Sequence, residues 1–177
     1  MNFKIKSSDI VFSGKVFDVK VDKIEYDESG NDGVREVAIH PGGAVVLPIK
    51  KDGKIVMVKQ YRYPSDKSLL ELPAGKLEPE EAPLECAKRE LTEETGYRSE
   101  KILKLGKIFT TPGFCTEVLH IFLAEELEDG DHNREEGEAG MEVYEFTIDE
   151  VEEQIKSGEI CDAKTICGIH YYRNHEF

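Results

Sequence analysis

The amino-acid sequence predicts an α+β protein, a sandwich built around a mixed sheet, on three observations. Short strand-like runs dominate the first third of the chain. Helical patterns come later, at 83–95, 149–157 and 162–174. Between them strands and helices mix without the regular βαβ alternation of a doubly wound sheet.

Taken in order, residues 16–26 set Phe17, Val19 and Val21 against Asp18, Lys20 and Asp22, the period of a two-sided strand. Turn residues fill 27–33, and 34–40 reads as a second strand, so a small N-terminal antiparallel sheet is expected. Pro41-Gly42-Gly43 breaks the chain there, separating residues 1–42 from 43–177. Strands at 44–49 and 55–62 flank Lys51-Asp52-Gly53-Lys54, and Asp-Gly between β-branched runs predicts a hairpin.

A helix is expected over 83–95, with Pro83 tolerated in its first turn, Glu80 and Glu81 at the positive end of its dipole, and Gly96 as its stop. Leu84, Ala87 and Leu91 should face the core. Glu90, Glu93 and Glu94 recur at i, i+3 and i+4 on another face. Strands follow at 102–110, 118–124 and 141–147. Helices at 149–157, before Gly158, and from Asp162 as cap to about Asn174 close the pattern.

The 177 residues carry 23 Lys and Arg against 37 Asp and Glu, a net charge of −14. Such an excess repels phosphate backbones and anionic lipid, which excludes nucleic acid and membrane surfaces as partners. Residues 125–153 hold 14 acids and one base, Arg134, so 13 of the 14 negative units lie there, as expected of a solvated acidic loop and helix start. The four cysteines, at 86, 115, 161 and 167, show no CxxC pair, and the five histidines show no HExxH. Neither zinc nor a disulfide framework is expected, and a reducing compartment fits. No signal-peptide stretch or membrane span is present, which points to the cytoplasm.

Three carboxylates on one helix face repel one another, and folding alone gives little reason for them. A hard divalent cation such as Mg²⁺ removes the conflict by taking oxygen ligands. The segment 75–97, GKLEPEEAPLECAKRELTEETGY, places Gly75, Glu81, Arg89, Glu90, Glu93, Glu94 and Gly96 at the seven specified positions of the Nudix hydrolase signature box. Tyr97 stands where that box usually has an aliphatic residue. An EF-hand reading of Asp129-x-Asp131-x-Asn133 fails, since Arg134 and Gly140 stand at the sixth and twelfth loop places.

The chain thus resembles the Nudix superfamily, and beyond the box it looks most like the ADP-ribose pyrophosphatase branch. Gln60-Tyr61-Arg62 is similar to that branch's QYR, residues 71–76 to its ELPAGK, 111–117 to its SPGF-x-x-E segment and 162–165 to its DAKT turn. The resemblance implies a Nudix-type α/β/α sandwich around a mixed sheet. It also implies an N-terminal sheet (1–42) that serves dimerisation and the substrate end, and a hydrolase domain (43–177). The implied reaction is Mg²⁺-dependent hydrolysis of ADP-ribose to AMP and ribose 5-phosphate, with two or three ions and Mn²⁺ as a substitute. Metal ligands by position are the Ala74 carbonyl, Glu90 and Glu94, with Glu93 binding directly or through water; Arg89 and Glu81 orient them. The base corresponds to Glu138 first and Glu136 second, with Glu138 also able to touch metal, although Ala139-Gly140 makes this stretch one residue longer than the pattern.

For the substrate, Arg62 is the implied phosphate contact. Arg35 and Glu36 fall at the adenosine end, Phe17 either stacks on adenine or fills the core, Gly113 and Glu117 line the terminal ribose, and Lys76 adds charge or backbone. A homodimer is implied by resemblance alone. Hydrolysis of another nucleotide sugar, GDP-mannose or ADP-glucose, is the alternative within the class. A non-catalytic ADP-ribose sensor is disfavoured by the intact box glutamates.

Overall fold

The computed structural model describes residues 2–130 and 140–175. It divides into two compact units, Met1–Gly42 with Phe109–Val118, and Gly43–Ile108 with Leu119–Phe177. Among the described residues no helix is long and apolar enough to cross a membrane.

The first unit is a three-stranded antiparallel sheet in the order β1 (Phe3–Ser13), β2 (Asp18–Tyr26), β3 (Asp32–Ile39). β2 and β3 are the two strands expected of an N-terminal antiparallel sheet, in register from Asp18↔Ile39 to Glu25↔Asp32, with Asp22 and Ile24 as the buried positions of β2. β1 was not legible as a strand. Two register shifts, at Ile5/Ser7 and Ile10/Phe12, break its period-2 pattern, and almost all of it is exposed. Asp22 is buried, accepting from Ser8 Oγ at 2.6 Å and pairing with Lys20 Nζ at 2.8 Å. Segment 109–118 docks on β3, Ala38 N donating to the Phe114 carbonyl at 2.7 Å and Thr116 N to the Ala38 carbonyl at 3.0 Å.

The second unit is layered. Its mixed sheet runs β7 (Ala74–Lys76), β4 (Gly43–Pro48), β10 (Val118–Glu125), β9 (Lys101–Phe109), with β10 parallel and β7 antiparallel to β4. A second, antiparallel sheet runs β12 (Glu142–Phe146), β5 (Ile55–Arg62), β6 (Lys67–Glu71), and β8 (Tyr97–Arg98) pairs with β11 (Glu128–Asp129). Alternation along β4 and β10 splits the core. Val45, Leu47, Ile121 and Leu123 join one cluster with Ile55, Met57, Val151, Ile160 and Ile169. Ala44, Val46, Phe122 and Ala124 join the other, with Cys86, Ala87 and Leu91 of α1 (Pro83–Thr95). α2 (Ile148–Ser157) and α3 (Ala163–Arg173) contribute to the first cluster, so helices lie over both faces of the mixed sheet.

The turn at 51–54 forms, with Gly53 at φ +84° and Lys50 N donating to the Lys54 carbonyl at 2.9 Å, but the expected hairpin ladder does not. Only Ile49↔Ile55 bridges the strands, because β4 has β7 and β10 on its two edges and β5 has β12 and β6. Leu84 is also a correction. It is 38% exposed, and Cys86 takes the core place beside Ala87 and Leu91.

Candidate active site

α1 covers residues 83–95 as its sequence pattern requires, and Gly96 closes it in the left-handed region at φ 75°, donating to the Thr92 carbonyl. Burying Cys86, Ala87 and Leu91 turns the neighbouring stripe of the helix inward as well. Glu90 is 5% exposed and Glu94 2%. Both meet the short strand β7: Ala74 N donates to Glu94 Oε2 at 3.0 Å, and the Glu90 carboxylate lies against Gly75. A Cβ at residue 75 would stand 1.7 Å from Glu90 Oε1, so only glycine admits this packing.

Arg89 ties the cluster together. Its Nε and one terminal nitrogen grip both oxygens of Glu81, at 2.9 and 3.0 Å. The other terminal nitrogen donates to Glu90 Oε1 at 2.6 Å and Glu93 Oε2 at 3.0 Å, while the terminal nitrogen on Glu81 also donates to the Lys76 carbonyl at 3.1 Å. The fork on Glu81, resisted by burial, holds Arg89 firmly charged, and the same guanidinium holds the Glu81 carboxyl below the usual range. Beneath it the Cys86 thiol is pushed up to about 12 by burial first and by the charges of Glu90 and Glu81, so it packs as a neutral group.

Buried carboxylates need compensation. One arginine shared by three glutamates leaves room for more positive charge, and the glycine cradle under Glu90 places hard oxygen donors at the end of β7. The donor set fits a hard divalent cation held by Glu90, Glu94 and the Ala74 carbonyl, with Glu93 at its margin. With Arg89 drawn between Glu90 and Glu93, no three His, Cys, Asp or Glu among the described residues already form such a site.

A second network lies in the same unit. Arg62, at the end of β5, donates from Nε to Glu71 Oε1 at 2.8 Å and from a terminal nitrogen to Oε2 at 2.6 Å. Glu71, 1% exposed, also takes Lys164 Nζ. Asp162, the cap of α3, receives Lys164 Nζ at 3.0 Å, Thr165 N at 3.0 Å and Thr165 Oγ1 at 2.6 Å. Thr165 Oγ1 in turn accepts from Leu72 N at 2.8 Å. Burial pushes the Glu71 carboxyl up, yet the hydrogen bonds and charges of Arg62 and Lys164 outweigh it and hold the group below its ordinary range.

The structure therefore brings Ala74, Lys76, Arg89, Glu90, Glu93 and Glu94 into one cluster and puts Arg62 on Glu71. The remaining residues expected to meet substrate lie in the first unit. Arg35 donates to the Tyr26 hydroxyl at 2.5 Å with its guanidinium 5.7 Å from that ring; Glu36 is exposed opposite Val21. Phe17 is 44% exposed and 6.3 Å from the Phe12 ring, so it is not a core aromatic. Glu117 accepts from Thr110 Oγ1 at 2.8 Å and sits 3.4 Å from His40 Nδ1, while Gly113 has open space around it. Glu136 and Glu138 lie outside the described residues. Sequence reasoning gave Asp162 only the role of helix cap and assigned none to Glu71, Lys164 or Thr165, although the ELPAGK-like and DAKT-like segments contain all four.

The chain matches the family model of the NUDIX domain over residues 39–167. An ADP-ribose pyrophosphatase of Bacillus subtilis is 43% identical over 167 residues, covering 94% of this chain and 90% of the relative. A methanol dehydrogenase activator of Bacillus methanolicus is 41% identical over 172 residues, with the same two coverages. A GDP-mannose pyrophosphatase of Yersinia enterocolitica is 34% identical over 151 residues, covering 80% of this chain and 78% of its own. The solved structure of an ADP compounds hydrolase superposes with a TM-score of 0.86 at 19% identity, over 98% of this chain and 93% of that one, a likeness of fold.

Proposed function

The chain belongs to the NUDIX domain family, and from that premise we propose that it hydrolyses the pyrophosphate of ADP-ribose to AMP and ribose 5-phosphate. A divalent cation is required, Mg²⁺ with Mn²⁺ as a substitute, in two or three places. The observation that carries this reading is the pair of buried box carboxylates, Glu90 on Gly75 and Glu94 on Ala74 N, held ready beside Arg89. The 43% identical ADP-ribose pyrophosphatase supports the choice of substrate.

When bound, the cation supplies charge neutralisation for the diphosphate and polarisation of its phosphorus. Glu90, Glu94 and the Ala74 carbonyl would hold it, and Glu93 would hold a second ion directly or through water. Arg89 fixes the rotamers of Glu90 and Glu93 while Glu81 fixes Arg89, so the ligands are arranged before substrate arrives. Arg62 meets the phosphates. Arg35, Glu36 and Phe17 take the adenosine end, Gly113 and Glu117 the terminal ribose, and Lys76 adds charge at the exposed end of β7. Glu138, with Glu136 as second choice, takes the proton of the attacking water; the new P–O bond forms as the P–O–P bridge breaks, and the departing phosphate keeps the bridging oxygen. Residues 1–42 serve dimerisation and the adenosine end, 43–177 the hydrolysis, in a cytoplasmic homodimer.

A panel of ADP-ribose, ADP-glucose and GDP-mannose with Mg²⁺, scored for nucleoside monophosphate, tests the reading. ADP-ribose should lead, and Glu94→Gln and Glu138→Gln should each remove turnover. Equal or faster GDP-mannose cleavage would favour the second reading, which the 34% identical GDP-mannose pyrophosphatase supports.

A further inference from the structure

The Arg62, Glu71, Lys164 and Asp162 side chains form a charge-balanced group of two cations and two anions. Its most buried member is Glu71, which neither cation leaves to the other: Arg62 takes both oxygens and Lys164 adds to Oε2. Arg62 is the only one of the four whose side chain is substantially open to solvent, at 40%. Among the described residues its second terminal nitrogen, Nη1, has no hydrogen-bond partner, and Glu71, which Arg62 grips, lies three residues before Ala74, whose N–H meets the metal-ligand candidate Glu94 at 3.0 Å.

We propose that Lys164 is a positioning residue for the substrate: through Glu71 it locks the Arg62 guanidinium in place and leaves that guanidinium's charge available to the diphosphate. This rests on the reading of the site as a nucleoside-diphosphate hydrolase. Without Lys164 the group carries a net negative charge at the place where an anion must bind, and Arg62 alone must neutralise a buried carboxylate. Asp162 cannot be the residue relieved instead, because its Oδ2 is committed to Thr165 N and Thr165 Oγ1 at the first turn of α3. The same turn grips the backbone next to Glu71, through Thr165 Oγ1 and Leu72 N, so α3 fixes both the carboxylate and the chain that carries it. A lysine suits the task, since its compact charge can meet Glu71 and Asp162 together where a planar fork would select one.

Steady-state kinetics on the substrate the wild type prefers separates positioning from mere support. Lys164→Gln should raise KM about tenfold with kcat within about threefold, and Lys164→Arg, whose planar fork cannot meet both acids as the ammonium does, should recover only part of the loss. Arg62→Gln should raise KM on its own, and adding Lys164→Gln to it should cost less than about twofold more, because the two act as one unit. A structural role would instead lower the folded fraction and kcat and would add to the Arg62 effect. Should Lys164→Gln not fold, Glu71→Gln with Lys164→Gln removes charge and countercharge together, and its KM should still rise. Wild-type KM in Lys164→Gln, in Arg62→Gln or in the paired variant, or full additivity, overturns the proposal. If the wild type turns over no nucleotide sugar, the functional reading fails instead; calorimetric binding of ADP with Mg²⁺ then carries the same comparison, and equal affinity in wild type and Lys164→Gln overturns the proposal.

Discussion

Gly75 occupies the point where a side chain of any size meets Glu90, and this explains a glycine whose backbone angles alone do not demand one. The contact is with the mobile end of a glutamate, so a methyl at 75 can be accommodated by swinging Glu90 aside. That movement leaves the fold intact and spoils the ligand, and it also unseats the 2.6 Å bond from Arg89. Gly75→Ala should therefore weaken the metal dependence of activity about 10–100-fold while the thermal midpoint changes little. An Mg²⁺ titration of turnover beside a melting curve checks both halves. Gly75→Ala with a wild-type Mg²⁺ dependence would show that Glu90 is not a ligand.

Most elements were legible because each has its own local signal: Pro83 and Gly96 bound α1, Gly158 ends α2, and Asp162 caps α3. β1, β6, β7 and the short pair β8 and β11 were not. Their residues are exposed, bulged or too few to show a period, and only a partner strand defines them. The failure of the 51–54 hairpin has the same origin, since edge occupancy is a tertiary fact. In the site, the box was legible as spacing along one helix, whereas the Glu71 network joins residues about ninety positions apart and could be seen only as unexplained motifs. That network couples β6 to α3 and should mark the acid stability of the second unit. Glu71 has a folded pKa below its unfolded value of about 4.3, so its stabilisation is complete above that value and is lost as pH falls through the folded one. Relative to the Glu71→Gln, Lys164→Gln pair, wild-type protein should lose thermal midpoint as pH is lowered from about 5 to about 3, and a constant difference would refute the coupling.

For the whole molecule, the net charge of −14 and the proposed self-association pull in opposite directions, and the location of the charge decides between them. Thirteen of the negative units lie in 125–153, whereas residues 1–42 hold six basic and eight acidic side chains. The N-terminal sheet is thus nearly neutral, and β1 is its edge strand, with Ile5 58%, Ile10 52%, Val11 60% and Phe12 55% exposed. A long apolar edge invites pairing, and a second copy of the chain would cover it without adding much like charge. Apolar burial is not screened by salt, while repulsion between the acidic segments is. Sedimentation should therefore give twice the 20.0 kDa chain mass, with dimer retained or strengthened as salt is raised. Val11→Asp should shift the population to monomer. A wild-type monomer at micromolar concentration, or a dimer that dissociates on adding salt, would assign the exposed edge and the interface to different causes.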